Sequence, residues 1–241
     1  QKTMVVVVGD HGEAFGEHIE KGHGIFCYEE SMLVPLIFSS PELAKRPIRV
    51  TERVRLVDVM PTVLEMLGVA IPKPCQGKSL ANLIMGNEEK ESRPVYLESL
   101  YGQELNNWAP LTSLISEHWK YISLPQAELY DLNADPKEKE NLILKRNPEA
   151  RRLDKDLAAF IASHRGRAAG SKQSVDAIDI KKLEALGYIS SFASSGKTGI
   201  DPKIGIAYQE RCKELFAAFD RGEIKVVESE ALRLKEETKE Y

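Results

Sequence analysis

No apolar run in this 241-residue chain approaches the roughly 20 residues that a helix needs to cross a bilayer. No basic stripe stands out, and the formal net charge is -4, which argues against a nucleic-acid footprint. Lys145-Arg146 and Arg151-Arg152 read as one solvated helix face. Cysteine is scarce. The three are unclustered, which excludes a disulfide framework or a zinc knuckle and leaves the redox compartment open. No signal peptide is visible. The chain opens on Gln1 and runs at once into an apolar strand, so that absence carries no weight.

What is present is 42% hydrophobic and 29% charged, an ordinary balance for a soluble protein. The length suffices for one substantial core and a smaller unit. Val5-Val6-Val7-Val8 reads as a strand buried on both faces, as in a parallel sheet. Gly9 turns the chain, and Asp10-His11-Gly12 follows at the carboxyl end of the strand, where open α/β sheets bind ligands. A carboxylate beside an imidazole suits a divalent metal. Histidine is rare, with five in the chain, yet three of them (His11, His18 and His23) fall between positions 11 and 23. Glycines interleaved with Glu13, Glu17 and Lys21 suit a loop whose backbone approaches a ligand. The stretch is read as a metal-and-anion site.

Leu33 to Phe38 reads as a second buried strand, with Pro35 placing it near an edge or bulge. Val57 to Leu67 has helical periodicity and stops at Gly68, and Leu80 to Met85 is a short helical turn. Four β-rich segments (95–98, 113–115, 119–122 and 128–131) predict a small antiparallel sheet. Pro148 opens a helix through His164 with Leu153, Leu157, Phe160 and Ile161 on its apolar side. Residues 166–202 read as a Gly/Ser-rich linker with one short helix at Ile180–Leu186. Residues 203–241 read as a helical hairpin broken at Gly222, with Ile204, Tyr208, Leu215, Phe216 and Phe219 on one stripe. A single hairpin cannot bury its own face, so either further helical repeats follow or the hairpin docks on the rest of the chain.

The run VVVVGDHGEAFGEHIEKGHGIFCYEESMLVPLIF resembles the second half of a sulfatase catalytic domain, in the alkaline phosphatase superfamily. Segments 54–68, 76–86 and 119–142 extend the resemblance over roughly residues 3 to 165. It implies an α/β class and the C-terminal part of an alkaline-phosphatase-like α/β/α sandwich. That part covers residues 1–165, with a small antiparallel sheet plus helix about 93–165, then the linker and the helical hairpin. The hairpin and its Leu-Gly-Tyr linker resemble bacterial sulfatases fused to tetratricopeptide repeats.

The resemblance implies a metal-dependent sulfuric ester hydrolase. Asp10 and His11 would be the metal ligands, and calcium the favoured ion, with zinc and manganese open because His11 supplies nitrogen. His23 stands where several sulfatases hold a lysine against the sulfate, so it is the candidate to bind substrate and protonate the leaving group. Lys21 is the other candidate anion contact. His18 reads as structural, with Glu13 and Glu17 as groups that fix histidine tautomers. Tyr28-Glu29-Glu30-Ser31 reads as a helix start that buries Tyr28, Trp108 and Trp119 as core, and His118 and His164 as surface.

The family's Cys/Ser-x-Pro-x-Arg nucleophile, which becomes formylglycine, is matched by none of Cys27, Cys75 and Cys212. The expectation is therefore a piece of a longer protein that supplies half an active site. The expected substrate is a sulfated small molecule or glycan, with a protein partner through the helical repeats and no nucleic acid. The expected setting is periplasmic or cell-envelope. Two alternatives stand. One is a phosphodiesterase, phosphonate hydrolase or phosphoethanolamine transferase of the same superfamily. The other is a repeat-based scaffold with an inactive catalytic half.

Overall fold

The computed structural model describes residues 3–43, 47–89, 93–164 and 199–237. The fold is α/β. Strand β1 (Val5–Val8) pairs with β4 (Leu36–Ser39), and between them lie the short hairpin β2 (Ala14–Phe15) with β3 (Lys21–Gly22) and helix α1 (Glu29–Met32). The β1–β4 pair is antiparallel, with Val8 opposite Leu36 and Val5 opposite Ser39. This corrects the expectation of a parallel strand buried on both faces: Val5, Val7 and Val8 are 52%, 51% and 42% exposed. Four valines in a row encode a demand for cover, but they do not encode the direction of the neighbouring strand. That direction follows from the return of the chain through α1, which brings the backbone N–H of Gly9 to 3.1 Å from Pro35 O. Pro35 thus sits one residue ahead of β4, where its missing N–H costs no ladder bond.

A 3-10 turn at Leu56–Asp58 leads into α2 (Val59–Met66), and α3 (Ala81–Ile84) is the expected short turn. Asp58 anchors this region. It is fully buried, and its carboxylate accepts from Arg55, from Arg93 and from the Lys78 backbone N–H. Burial works against the charge, yet these donors outweigh it and hold the Asp58 carboxyl below its ordinary range.

The four expected β-rich segments form an antiparallel meander: β5 (Val95–Ser99), β6 (Leu111–Ser116), β7 (Trp119–Ser123) and β8 (Glu128–Asp131), in that spatial order. Helix α4 (Tyr101–Asn106) links the first two, and α5 (Asn147–His164) packs on one face. Period-two alternation sorts the side chains. Leu114, Tyr121 and Leu129 meet Leu153 and Leu157 of α5. Ile115, Ile122 and Tyr130 turn to the other face, against Phe26, Cys27, Tyr28 and Trp108. Lys120 and Glu128 alternate onto this second face too, so two charged residues lie beneath the segment that follows the His-rich loop. Trp108 and Trp119 belong to these two cores, as expected.

Helices α6 (Pro202–Asp220) and α7 (Ile224–Glu237) form the expected hairpin, while Ile180–Leu186 lies outside the described residues. The buried stripe differs from expectation. Ile206 and Ala218 are buried, whereas Phe216 and Phe219 are 73% and 59% exposed. The cause is local: Ile206 joins the core around Trp108, so the first turns of α6 face the sheet and the later ones do not.

Candidate active site

The His-rich loop is built on the β2–β3 hairpin, in which Ala14 pairs with Gly22 and Phe15 with Lys21. Gly12 enters the loop against α1: its N–H donates to Ser31 O at 2.8 Å, and a Cβ there would overlap the Glu30 carbonyl oxygen. Only glycine allows so close an approach.

Asp10 and His11 converge. Asp10 Oδ1 accepts from the His11 backbone N–H at 3.0 Å, and Oδ2 stands 3.8 Å from His11 Nε2. That backbone bond comes first among the causes that hold the exposed Asp10 carboxyl below its ordinary range. His11 Nδ1 lies 2.8 Å from Gly12 O, which can only accept, so Nδ1 is the donor and, in the neutral ring, Nε2 presents its lone pair. Two donors that each sit 2.0–2.4 Å from one ion are themselves roughly 3–4 Å apart. The carboxylate and the free ring nitrogen therefore fit a shared divalent cation.

His23 joins the cluster. Its ring stacks on that of His11 with centroids 3.8 Å apart, and its Nδ1 is 3.1 Å from Glu13 Oε2. One ligand atom each from His11, Glu13 and His23 falls within 4.8 Å of the others. Glu13 takes the expected part for His23, whose side chain is half-exposed. Glu17 does not reach a histidine. Its carboxylate accepts from the Phe15 N–H at 2.6 Å, and that bond leads the causes lowering its pKa. Lys21 is exposed on β3, and among the described residues no hydrogen bond or ion pair joins it to Asp10, His11, Glu13 or His23.

His18 is structural, as expected. Nδ1 is 2.6 Å from Glu30 Oε1, Nε2 is 3.0 Å from Glu138 O, and the ring stacks on Tyr28 at 3.9 Å. Both ring nitrogens face acceptors, which the imidazolium satisfies and the neutral ring cannot. Burial opposes the charge, but the Glu138 carbonyl and the Glu30 carboxylate outweigh it and raise the His18 pKa. The next residue, Ile19, is held at φ 72°. A β-branched residue there is strained by about 1–3 kcal/mol, and the grip on His18 sustains it.

Behind the loop lies a charge network that the motif reading passed over. Lys120 is completely buried, with Nζ 2.8 Å from Glu138 Oε1 and 3.2 Å from Glu29 Oε1. The contact with Glu138 Oε1 is an ion pair off the hydrogen-bonding direction, while Glu138 Oε2 accepts from the Glu29 N–H at 2.6 Å. Burial raises the Glu138 pKa, and Lys120 opposes the rise. Glu29 also accepts from Arg53 at 3.2 Å. Arg53, Glu29, Ser31 and Asp10 all line one groove of about 870 Å³. The signal for this network was Lys120 alternating inward on a strand whose neighbours are aromatic. Cys27 is buried with its thiol pushed up to about 12 by burial, so it is no nucleophile. His118 and His164 are half-buried; the latter stacks on Phe160 at 4.1 Å.

Residues 17–166 match the family described as N-sulphoglucosamine sulphohydrolase, C-terminal. Human arylsulfatase K is 35% identical over 174 residues, which are 67% of this chain and 31% of that protein. A solved 2-O GAG sulfatase superposes with a TM-score of 0.53 at 26% identity, covering 72% of this chain and 38% of that one. The phosphonate monoester hydrolase of Agrobacterium radiobacter superposes with a TM-score of 0.53 at 25% identity, covering 67% and 35%. The chain thus spans about a third of the length of the curated relatives it matches.

Proposed function

Since the chain belongs to the N-sulphoglucosamine sulphohydrolase C-terminal family, we propose that the protein hydrolyses sulfate esters with a divalent cation held by Asp10 and His11. The observation that carries this reading is the convergence of Asp10 Oδ2 on Nε2 of His11, 3.8 Å away, with Nδ1 engaged by Gly12 O. The cation, once bound, would neutralise charge on the tetrahedral oxyanion and lower the pKa of a hydroxyl nucleophile. The chain's own residues do the rest. Asp10 and His11 orient the ester. His23 points Nε2 at it, binds an oxygen of the sulfate and delivers a proton to the departing oxygen. Glu13 keeps Nδ1 protonated throughout and stabilises the imidazolium. The nucleophile, a formylglycine by family likeness, comes from another part of the full protein, so this chain contributes half of the site. Lys21 serves as an outer anion contact.

Calcium is the ion proposed, on family likeness; an oxygen-nitrogen pair accepts zinc or manganese equally. The substrate class is a sulfated glycan or small sulfated compound, in line with the GAG sulfatase named above. The site of action proposed is the periplasm or cell envelope. Residues 1–165 are proposed as the catalytic portion, 166–202 as a linker, and 203–241 as a helical module. The exposed Phe216 and Phe219 of that module suit further helical repeats or a protein partner.

The likeness to a phosphonate monoester hydrolase supports a second reading, in which phosphorus replaces sulfur at the reacting centre. One experiment separates the two. The full-length enzyme is stripped with a chelator, reloaded with Ca²⁺, Mn²⁺ or Zn²⁺, and assayed on an aryl sulfate and an aryl phosphonate monoester. Higher turnover of the sulfate after reloading supports the first reading. Preference for the phosphonate establishes the second, and full activity without metal ends both.

A further inference from the structure

The first residues of the hairpin, beyond the stretch matched by the family, are locked onto the sheet. Ala109 N–H donates to Ile200 O at 2.8 Å. Asp201 caps α6 by accepting from Lys203 N–H, and its other oxygen accepts from Gln126 N–H, both at 2.9 Å. Gly205 lies so close to Trp108 that a Cβ would overlap the indole. This docking brings the half-buried Lys203 onto the buried Glu128: Nζ lies 2.8 Å from Glu128 Oε1 and 3.0 Å from Gln126 O.

Glu128 passes the contact on. Its Oε2 accepts from the Tyr28 hydroxyl at 2.7 Å, and the Tyr28 ring stacks on His18 with centroids 3.9 Å apart and planes 15° from parallel. His18 sits at the closed end of the β2–β3 hairpin, beside the strained Ile19. The open end of the same hairpin, one step past the Ala14–Gly22 pair, carries Glu13 and His23. A two-residue ladder holds its own geometry weakly; the Gly12 N–H on Ser31 O and the Ile25 and Phe26 N–H groups on the buried Glu20 carboxylate fix the flanks of Glu13 and His23, and His18 anchors the closed end.

We propose that Lys203 is a positioning residue of the active site: by holding Glu128 it sets Tyr28, and Tyr28 holds His18 and the hairpin that carries Glu13 and His23. The helical module is thereby coupled to the catalytic loop, and a partner that pulls on α6 would loosen that loop. The consequence for catalysis rests on the role of His23 proposed above; the mechanical linkage does not.

The test uses the full-length protein with Lys203→Met and Lys203→Arg, read by sub-second hydrogen exchange and by steady-state kinetics on an aryl sulfate. Lys203→Met is expected to speed exchange at amides 14–26 about tenfold and to lower kcat about tenfold at unchanged KM. Lys203→Arg, which keeps a cation against Glu128, is expected to retain both. Unchanged exchange at 14–26 in Lys203→Met overturns the proposal, as does equal loosening by Lys203→Arg. Should Trp108 fluorescence show that Lys203→Met undocks α6, Tyr28→Phe breaks the same chain at its far link. Loosening of 14–26 in that variant supports the proposal, and its absence overturns it. A wild-type protein inert toward sulfate esters would remove the functional reading while the exchange result still decides the linkage.

Discussion

Glu13 and His23 face each other one register step beyond the Ala14–Gly22 pair, with carboxylate Oε2 3.1 Å from imidazole Nδ1. The pairing makes Nδ1 the proton-bearing nitrogen of His23, so the role proposed for this residue falls to Nε2. His23→Ala in the full-length enzyme is therefore expected to cut kcat by about 10²–10⁴ while bound metal, measured by atomic emission, stays at wild-type level. Parallel loss of metal and turnover would make His23 a ligand instead.

Asp10→Asn and His11→Ala are expected to behave in the opposite way. Each removes one of two converging donors, so metal content falls together with activity, and added cation restores part of the activity in Asp10→Asn. Metal retained in both variants would remove these residues from the site.

Much of this was legible beforehand, and the reasons are local. Asp10-His11-Gly12 marks a loop because a glycine and two ligand types follow an apolar strand, and the four segments of the meander alternate with period two. His18 could be separated from His23 only by family likeness, because spacing along a loop does not say which ring turns inward. Glu138 left no local signal, because its buried ion pair reaches a residue 18 positions away, and Lys120 showed only as a lysine alternating inward on β7. The direction of β1 was misread because burial and pairing direction are independent properties of a strand.

The pH dependence of stability has a definite sign. His18 has a folded pKa raised above its ordinary 6.5. Its contribution is thus fully present below about pH 6.5 and is lost as pH rises through the folded value. The raised carboxyls of Glu20 and Glu138 slope the same way from above their ordinary 4.5. Urea midpoints are expected to fall between pH 6 and 8, and His18→Asn to flatten that fall. An unchanged slope in His18→Asn would assign it to other groups.

Lys120 is a fully buried charge. Lys120→Ala leaves the buried Glu138 without its cation and Glu29 with Arg53 alone, and is expected to cost about 3–5 kcal/mol in urea unfolding. Pairing Lys120→Met with Glu138→Gln should recover at least half of that loss, since it removes both charges of the closest pair. A double variant no better than the single would show that packing, not charge, sets the cost.

Gly12→Ala tests the close approach to α1. Its Cβ would collide with the Glu30 carbonyl, and the expected loss is about 1–3 kcal/mol with metal affinity reduced as the loop shifts. A variant that melts and binds metal like the wild type would mean that the loop yields at no cost.

The burial of Lys120 divides the molecule's response to its surroundings. Dissolved ions do not reach Lys120 and Glu138, whereas His23 and Glu13 are half-exposed and feel the screening of the medium. A brackish or saline habitat would thus weaken His23–Glu13 and other exposed pairs such as Arg221–Glu223 before it touched Lys120–Glu138.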